Sequence, residues 1–149
     1  MKRILALVLA IAVAGIMATA GPAAATRRSG TLHVTKECSH YDPTTAGSFC
    51  TITSSNINAI KAGSRVVYAS AADLAHGVLD SALRIDGPGN NNAYGHVRLD
   101  LSSLSGVVRL RGGTGVFRHF HAGPIVVACP HFPACSWDGP FRFTRPRHD

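Results

Sequence analysis

The eight residues Leu110-Arg111-Gly112-Gly113-Thr114-Gly115-Val116-Phe117 join two β-like runs of the chain. The first run extends from Gly106 to Arg111 and the second from Ala122 to Ala128. Glycine adopts positive φ angles without steric cost, and a tight reversal of the chain requires such angles. This stretch therefore predicts a hairpin whose turn lies at residues 112–115.

Similar short runs, separated by Gly, Pro, Asn and Asp, continue on both sides of this turn. Val97, Leu99 and Leu101 alternate with polar residues, as is typical of a strand with one buried face. Ser70–His76 is the only helical candidate, and its pattern is weak. The eight predicted strands are Thr31–Lys36, Phe49–Ser55, Ser64–Ser70, Val78–Asp86, Ala93–Asp100, Gly106–Arg111, Ala122–Ala128 and Ser136–Thr144. Their number and spacing favour an all-β antiparallel barrel or sandwich.

The glycine-rich stretch resembles the Gly-Gly-Thr-Gly-x-Phe signature of the allene oxide cyclase and dirigent barrel superfamily, in its secreted bacterial branch. Gly112, Gly113, Thr114, Gly115 and Phe117 are the residues that carry this signature. The stretches 63–68, 77–81 and 95–100 are similar to the same superfamily, so the resemblance covers roughly residues 36–144.

The resemblance implies an eight-stranded antiparallel β-barrel with an apolar lumen that is open at one end. It also implies a homo-oligomer, a trimer, and a role in steering the cyclisation or coupling of a reactive small molecule. Such steering works mainly by holding the substrate in a productive orientation. His121 stands where dirigent-type sequences have Arg, so the resemblance transfers the architecture and assigns no catalytic residue.

Residues 1–25 are predicted to be a signal peptide. Lys2 and Arg3 precede the apolar run Ile4–Met17, and small-x-small cleavage patterns end at Ala20 and Ala25. The run has about 14 residues, whereas a membrane span needs about 20, which favours a cleaved signal over an uncleaved anchor. The prediction is therefore a secreted protein without a stable membrane anchor, whose single barrel domain spans residues 26–149 and ends in a short basic tail.

The chain is basic, with a formal net charge of +7 at pH 7. The signal peptide holds two of the 15 Lys and Arg residues and none of the 8 acidic residues, which leaves +5 on the mature chain. The arginines are scattered and do not form a basic stripe interleaved with aromatic residues, so no nucleic-acid partner is predicted. Attraction to an anionic cell surface stays open as an alternative function.

The four cysteines, Cys38, Cys50, Cys129 and Cys135, indicate two disulfides in an exported chain. Three pairings are possible, and proximity favours Cys38 with Cys50 and Cys129 with Cys135. Metal binding is the rival interpretation, but gaps of 11 and five residues between neighbouring cysteines do not match the usual zinc spacing.

The candidate ligand-binding residues are Tyr68, Tyr94, Phe117, His119 and His121. On a strand, His119 and His121 would share one face. If that face were the lumen, the two imidazoles could act as acid and base or, with a third ligand, bind a metal. On the outer face they would be ordinary surface histidines. The sequence contains no nucleophile elbow or phosphate loop, and it predicts no cofactor and assigns no metal ligand.

These observations predict a secreted barrel that binds an apolar or aromatic small molecule in its lumen. Whether it also catalyses a cyclisation or coupling is left open by the residues. The alternatives from other classes are a non-catalytic module that acts at an anionic cell surface and a histidine-based metal binder.

Overall fold

The computed structural model describes residues 28–144, and in it eight antiparallel strands close into one barrel. Each strand pairs with the next along the chain, and the last pairs with the first. The predicted all-β barrel is therefore confirmed, while the predicted signal peptide and the end of the basic tail lie outside the described residues. The strands are β1 Ser29–Glu37, β2 Phe49–Ser55, β3 Arg65–Tyr68, β4 Val78–Asp86, β5 Asn92–Asp100, β6 Ser105–Gly113, β7 Phe120–His131 and β8 Ala134–Phe143.

The weak helical candidate Ser70–His76 does not form a helix. The chain turns there, and Asp73 forms an isolated β-bridge with Val78. The Asp73 carboxylate accepts hydrogen bonds from the backbone N–H of His76 at 3.2 Å and from its ring at 2.6 Å. Aspartate side chains that bond to nearby backbone in this way compete with helix formation.

Alternate residues of each strand point into the barrel, where they form one apolar core. In β4, Leu79, Ser81, Leu83 and Ile85 are buried, whereas the residues between them are exposed. Trp137, Phe117 and Phe120 are fully buried. The interior is therefore filled by side chains along most of its length, as is usual for a barrel of eight strands.

Because the strands run up and down, successive loops alternate between the two ends of the barrel. Residues 38–48, 69–77, 101–104 and 132–133 form the loops of one end, which we call the disulfide end. Residues 56–64, 87–91 and 114–119 form the loops of the other, which we call the glycine end. A site built at one end therefore shares no loop with the other.

The glycine-rich signature lies at the glycine end, where it packs against the β4–β5 loop. A Cβ atom on Gly113 would overlap the carbonyl oxygen of Asn92. The Thr114 hydroxyl accepts a hydrogen bond from the Asn92 N–H at 3.0 Å, and the Val116 N–H donates to the Asn91 side chain at 3.0 Å. The signature thus joins two loops and closes this end of the barrel, which is an architectural role.

Candidate functional site

Two disulfides lie side by side at the disulfide end. Cys38 is bonded to Cys50 and Cys129 to Cys135, which confirms the pairing that proximity favours. The Sγ atoms of Cys38 and Cys135 are 3.8 Å apart, so the two bridges are in contact. They staple the β1–β2 and β7–β8 connections and form part of the wall of a cleft that opens at this end.

Lys36 points into this cleft from β1. It follows Leu32 and Val34 on the inward-facing parity of the strand, and only 4% of it is exposed. Its Nζ donates a hydrogen bond to the Tyr68 hydroxyl at 2.6 Å and lies 5.0 Å from the centre of the Trp137 ring. Among the ion pairs of residues 28–144, none involves Lys36. A buried lysine with aromatic neighbours and no acidic partner is an uncommon arrangement.

Burial changes the acid–base properties of this pair. It lowers the pKa of Lys36 to about 7, because the ammonium loses its hydration and gains no carboxylate in return. Burial also raises the pKa of Tyr68 well above its usual value, since the phenolate would be desolvated. At neutral pH a large share of Lys36 is therefore the free amine, beside a tyrosine that keeps its proton.

The cleft is narrow and mostly apolar. Including the part open to solvent, the depression measures about 430 Å³, but the space that a water-sized molecule can occupy is about 40 Å³. The volume of about 40 Å³ is the unoccupied space inside the cleft, and it corresponds to about three water molecules. The walls are formed by Lys36, Cys38, Tyr41, Cys50, Tyr68, Leu79, Val97, Leu99, Leu101, Leu104, Val127, Cys129, Phe132 and Cys135. Phe132, at the mouth, is 50% exposed.

Two further polar atoms near Lys36 are buried without a hydrogen-bond partner among the described residues. They are the Tyr41 hydroxyl and the Trp137 indole nitrogen. The Tyr41 ring packs edge-on against Tyr68, with ring centres 5.1 Å apart. Buried polar groups are nearly always hydrogen-bonded, so the unpaired Tyr41 hydroxyl in the wall of the cleft indicates where a polar group of a ligand could bind.

Of the predicted ligand-binding residues, only Tyr68 lines this cleft. Tyr94 lies on the outer face of β5 and is 44% exposed. Phe117 belongs to a single 3-10 turn, Gly115–Phe117, at the glycine end, and it packs in the core 5.4 Å from the Phe120 ring. The structure therefore does not bring the five predicted residues together.

His119 and His121 do not share a strand face. His119 lies in the turn before β7, whereas His121 is in β7, on the parity opposite to the buried Phe120. Across residues 28–144, no group of three or more His, Cys, Asp or Glu side chains is placed to hold a metal ion. The acid–base and metal roles proposed for this pair therefore find no supporting geometry in this part of the chain.

His121 instead belongs to a basic groove on the outside of the barrel. The groove has a volume of about 720 Å³, and its basic lining residues are Arg109, Arg111, His121 and Arg142. Arg111 pairs with His121 across β6 and β7, and His121 pairs with Arg142 across β7 and β8. No acidic side chain of residues 28–144 forms an ion pair with these four. The groove therefore presents three arginines without an acidic partner among these residues, with His121 between Arg111 and Arg142.

Lys36 is a candidate functional residue that the sequence patterns did not single out. Its signal is present in the alternation of β1, because Leu32, Val34 and Lys36 share one parity. A lysine at the end of such a strand usually extends into solvent. Only closure of the barrel, with the disulfides above it, keeps this one buried.

No helix in the described part of the chain is long and apolar enough to cross a membrane. Comparison with family models, curated proteins and solved structures gives no significant match. The resemblance to the allene oxide cyclase and dirigent superfamily therefore stays a prediction, and it rests on the residues of the glycine-rich signature. The structure itself shows an eight-stranded barrel.

Proposed function

We propose that this protein is a secreted barrel that binds an apolar or aromatic small molecule with one polar group in the cleft at the disulfide end. The observation that carries this proposal is the hydrogen-bonded Lys36–Tyr68 pair, which is buried in an otherwise apolar cleft. Pockets for small molecules typically combine apolar walls with a few converging polar groups. The polar group of the ligand would bind at this pair, and its apolar body would face Leu101, Leu104 and Phe132.

The dimensions of the cleft restrict the ligand. Room for about three water molecules fits a fragment of a few heavy atoms without movement of the walls. A single aromatic ring requires the mouth to widen. Phe132 is half exposed and lies in the two-residue β7–β8 connection, so its side chain can swing outward without disturbing the core. Steering of a cyclisation or coupling, which the resemblance implies, would follow from orientation of the ligand against these walls.

The test of binding uses Trp137, the one tryptophan of the chain, which neighbours Lys36. Titration of the secreted protein with benzyl alcohol, followed by the single indole N–H resonance, should give a saturable shift. Phe132→Ala should weaken binding several-fold, because it removes one apolar wall. Val126→Ala, an exposed residue on the outer face of β7, should leave the affinity unchanged. A resonance that does not move with benzyl alcohol or with phenol would refute binding in the cleft.

The basic groove supports a second candidate function, attachment to an anionic cell surface. Three neighbouring arginines, Arg109, Arg111 and Arg142, without acidic partners among the described residues would favour such a surface, and this attraction falls as salt screens it. Binding to phosphatidylglycerol vesicles, and not to phosphatidylcholine vesicles, should be lost on raising the ionic strength and reduced in Arg111→Gln and Arg142→Gln. Lack of binding at low salt would remove this candidate.

A further inference from the structure

We propose that Lys36 forms an imine with an aldehyde or ketone that enters the cleft, with Tyr68 relaying the proton. This inference deepens the proposed function and rests on it, because the carbonyl compound must first bind in the cleft. Its basis is that Lys36 lines the cleft and that its amine contacts the Tyr68 hydroxyl at 2.6 Å. Lysine is the residue that forms such adducts with carbonyl compounds in proteins.

The reactive form of lysine is the neutral amine, and the surroundings of Lys36 favour it. A carboxylate partner would hold the proton on nitrogen, but the contacts of Nζ are the Tyr68 hydroxyl, the Cys50 sulfur at 3.8 Å and two aromatic rings. With a pKa of about 7, roughly half of Lys36 is neutral at pH 7. An ordinary lysine, with a pKa of about 10.4, is neutral to only about 0.04% at that pH.

The reaction balances without any oxidant or reductant. The Lys36 nitrogen lone pair attacks the carbonyl carbon, a C–N bond forms, and the oxygen takes a proton from the Tyr68 hydroxyl. Tyr68 recovers a proton from the attacking nitrogen, so it carries no lasting charge, which its burial would penalise. The resulting carbinolamine then loses its hydroxyl group and the remaining N–H proton as water, and the C=N bond forms.

The apolar walls favour survival of the product. An imine in bulk water hydrolyses, whereas a narrow apolar site that admits few water molecules slows this loss. Here the free space admits about three water molecules beside the disulfides and leucines. The Lys36 adduct would therefore persist longer than one formed on an exposed lysine.

The test is reductive trapping of the secreted protein with benzaldehyde and sodium cyanoborohydride. Peptide mapping then locates the benzyl group on Lys36, on Lys61 or on the α-amino group. Lys61, which is exposed, is the matched control, because Lys36 and Lys61 are the only lysines beyond the predicted signal peptide. At pH 7 we expect Lys36 to be labelled at least about tenfold faster than Lys61, given its much larger neutral fraction.

Three variants separate the roles. Lys36→Met should lose the label at this position, whereas Lys61→Arg should keep it. Tyr68→Phe, which retains the ring, should slow labelling of Lys36 at least about tenfold, since positioned proton donors contribute that much or more. The rate at Lys36 should also rise to a plateau just above pH 7, because its pKa is about 7, and should not keep rising to pH 9.

The possible failures are distinguishable. If benzyl alcohol shifts the Trp137 resonance but Lys36 is labelled no faster than Lys61, the imine is refuted and binding stands. A second failure would be tighter binding of benzoate than of benzyl alcohol, together with a labelling rate that levels off at a higher pH when benzoate is present. Lys36 would then be a cation that pairs with carboxylates, and the imine would again be refuted. If neither compound binds and no label appears, both proposals fail.

Discussion

Lys36 shows how burial sets the chemistry of a single side chain. The residue sits at the end of β1, where a lysine ordinarily extends into water, but closure of the barrel places it over Trp137 and against Tyr68. The lost hydration lowers its pKa to about 7. A change in pKa between the folded and unfolded states is also a change in stability with pH.

The first prediction concerns this linkage. In the unfolded chain Lys36 keeps the ordinary value of 10.5, so between pH 7 and pH 10.5 the unfolded state binds more protons than the native state. Stability therefore rises with pH across this window, and below pH 7 the contribution of the neutral amine is lost. From pH 7 to pH 9, the wild type should gain about 2 kcal/mol of unfolding free energy relative to Lys36→Met.

Urea unfolding at both pH values, followed by Trp137 fluorescence, measures this difference. Ionisation of Tyr68 in the unfolded chain is centred near pH 10, which is above the measured range of pH 7 to pH 9. Equal pH dependence in the wild type and Lys36→Met would show that Lys36 is an ordinary solvated ammonium in the native protein.

At the scale of the elements, the glycine signature has two roles. It allows a positive φ angle, and it lets the backbone of β6 lie close to the backbone of β5. Gly112 has φ +72°, and a Cβ atom added there would lie 3.7 Å from the Arg118 carbonyl oxygen, which is an ordinary contact distance. Gly113 has no positive φ, yet a side chain there would overlap the backbone of β5. The two adjacent glycines are therefore required for different physical reasons.

The second prediction follows from this difference. Gly112→Ala should cost about 1 kcal/mol, because it only forces alanine into the left-handed region. Gly113→Ala should cost about 2–3 kcal/mol, because the β6–β5 contact must open to admit the Cβ atom. Thermal unfolding of both variants measures the costs. If the Gly113 variant were no less stable than the Gly112 variant, the packing of the signature against β5 would be wrong.

For the whole molecule, the paired disulfides hold together the end of the barrel that carries the cleft. They lie on neighbouring strand pairs and touch through Cys38 and Cys135. Each closes a short loop, of separation 12 for Cys38–Cys50 and 6 for Cys129–Cys135. Loops of this length contribute about 2–3 kcal/mol each in the chain-entropy description.

The third prediction uses the contact between the two bridges. The double variant Cys129→Ser with Cys135→Ser should lose about 2–3 kcal/mol of stability and keep the Cys38–Cys50 bond. The single variant Cys50→Ser should behave differently. Its Cys38 thiolate lies beside Cys135 and should attack that bridge, which would form Cys38–Cys135 and free Cys129. Non-reducing peptide mapping distinguishes the outcomes, and an intact Cys129–Cys135 bond with a free Cys38 would contradict the contact.

Much of the architecture follows from the sequence alone. Period-two alternation marks one buried face of each strand, and glycine-rich breaks mark the reversals. All eight strands are therefore predictable, with Phe49–Ser55 and Val78–Asp86 matching residue for residue. The disulfide pairing is favoured by proximity, because the cysteines flank two single connections between adjacent strands.

The tertiary structure alone decides which residues meet in the cleft. The alternation pattern indicates that Lys36 and Tyr68 each lie on the apolar face of their own strand. It does not indicate that β1 and β3 bring the Lys36 amine within 2.6 Å of the Tyr68 hydroxyl. It also cannot assign Phe117 and His121 to the opposite end of the barrel from Tyr68, since that requires strand order and register. Local pattern determines the face of each residue, whereas closure of the barrel determines its neighbours and hence the pKa of Lys36.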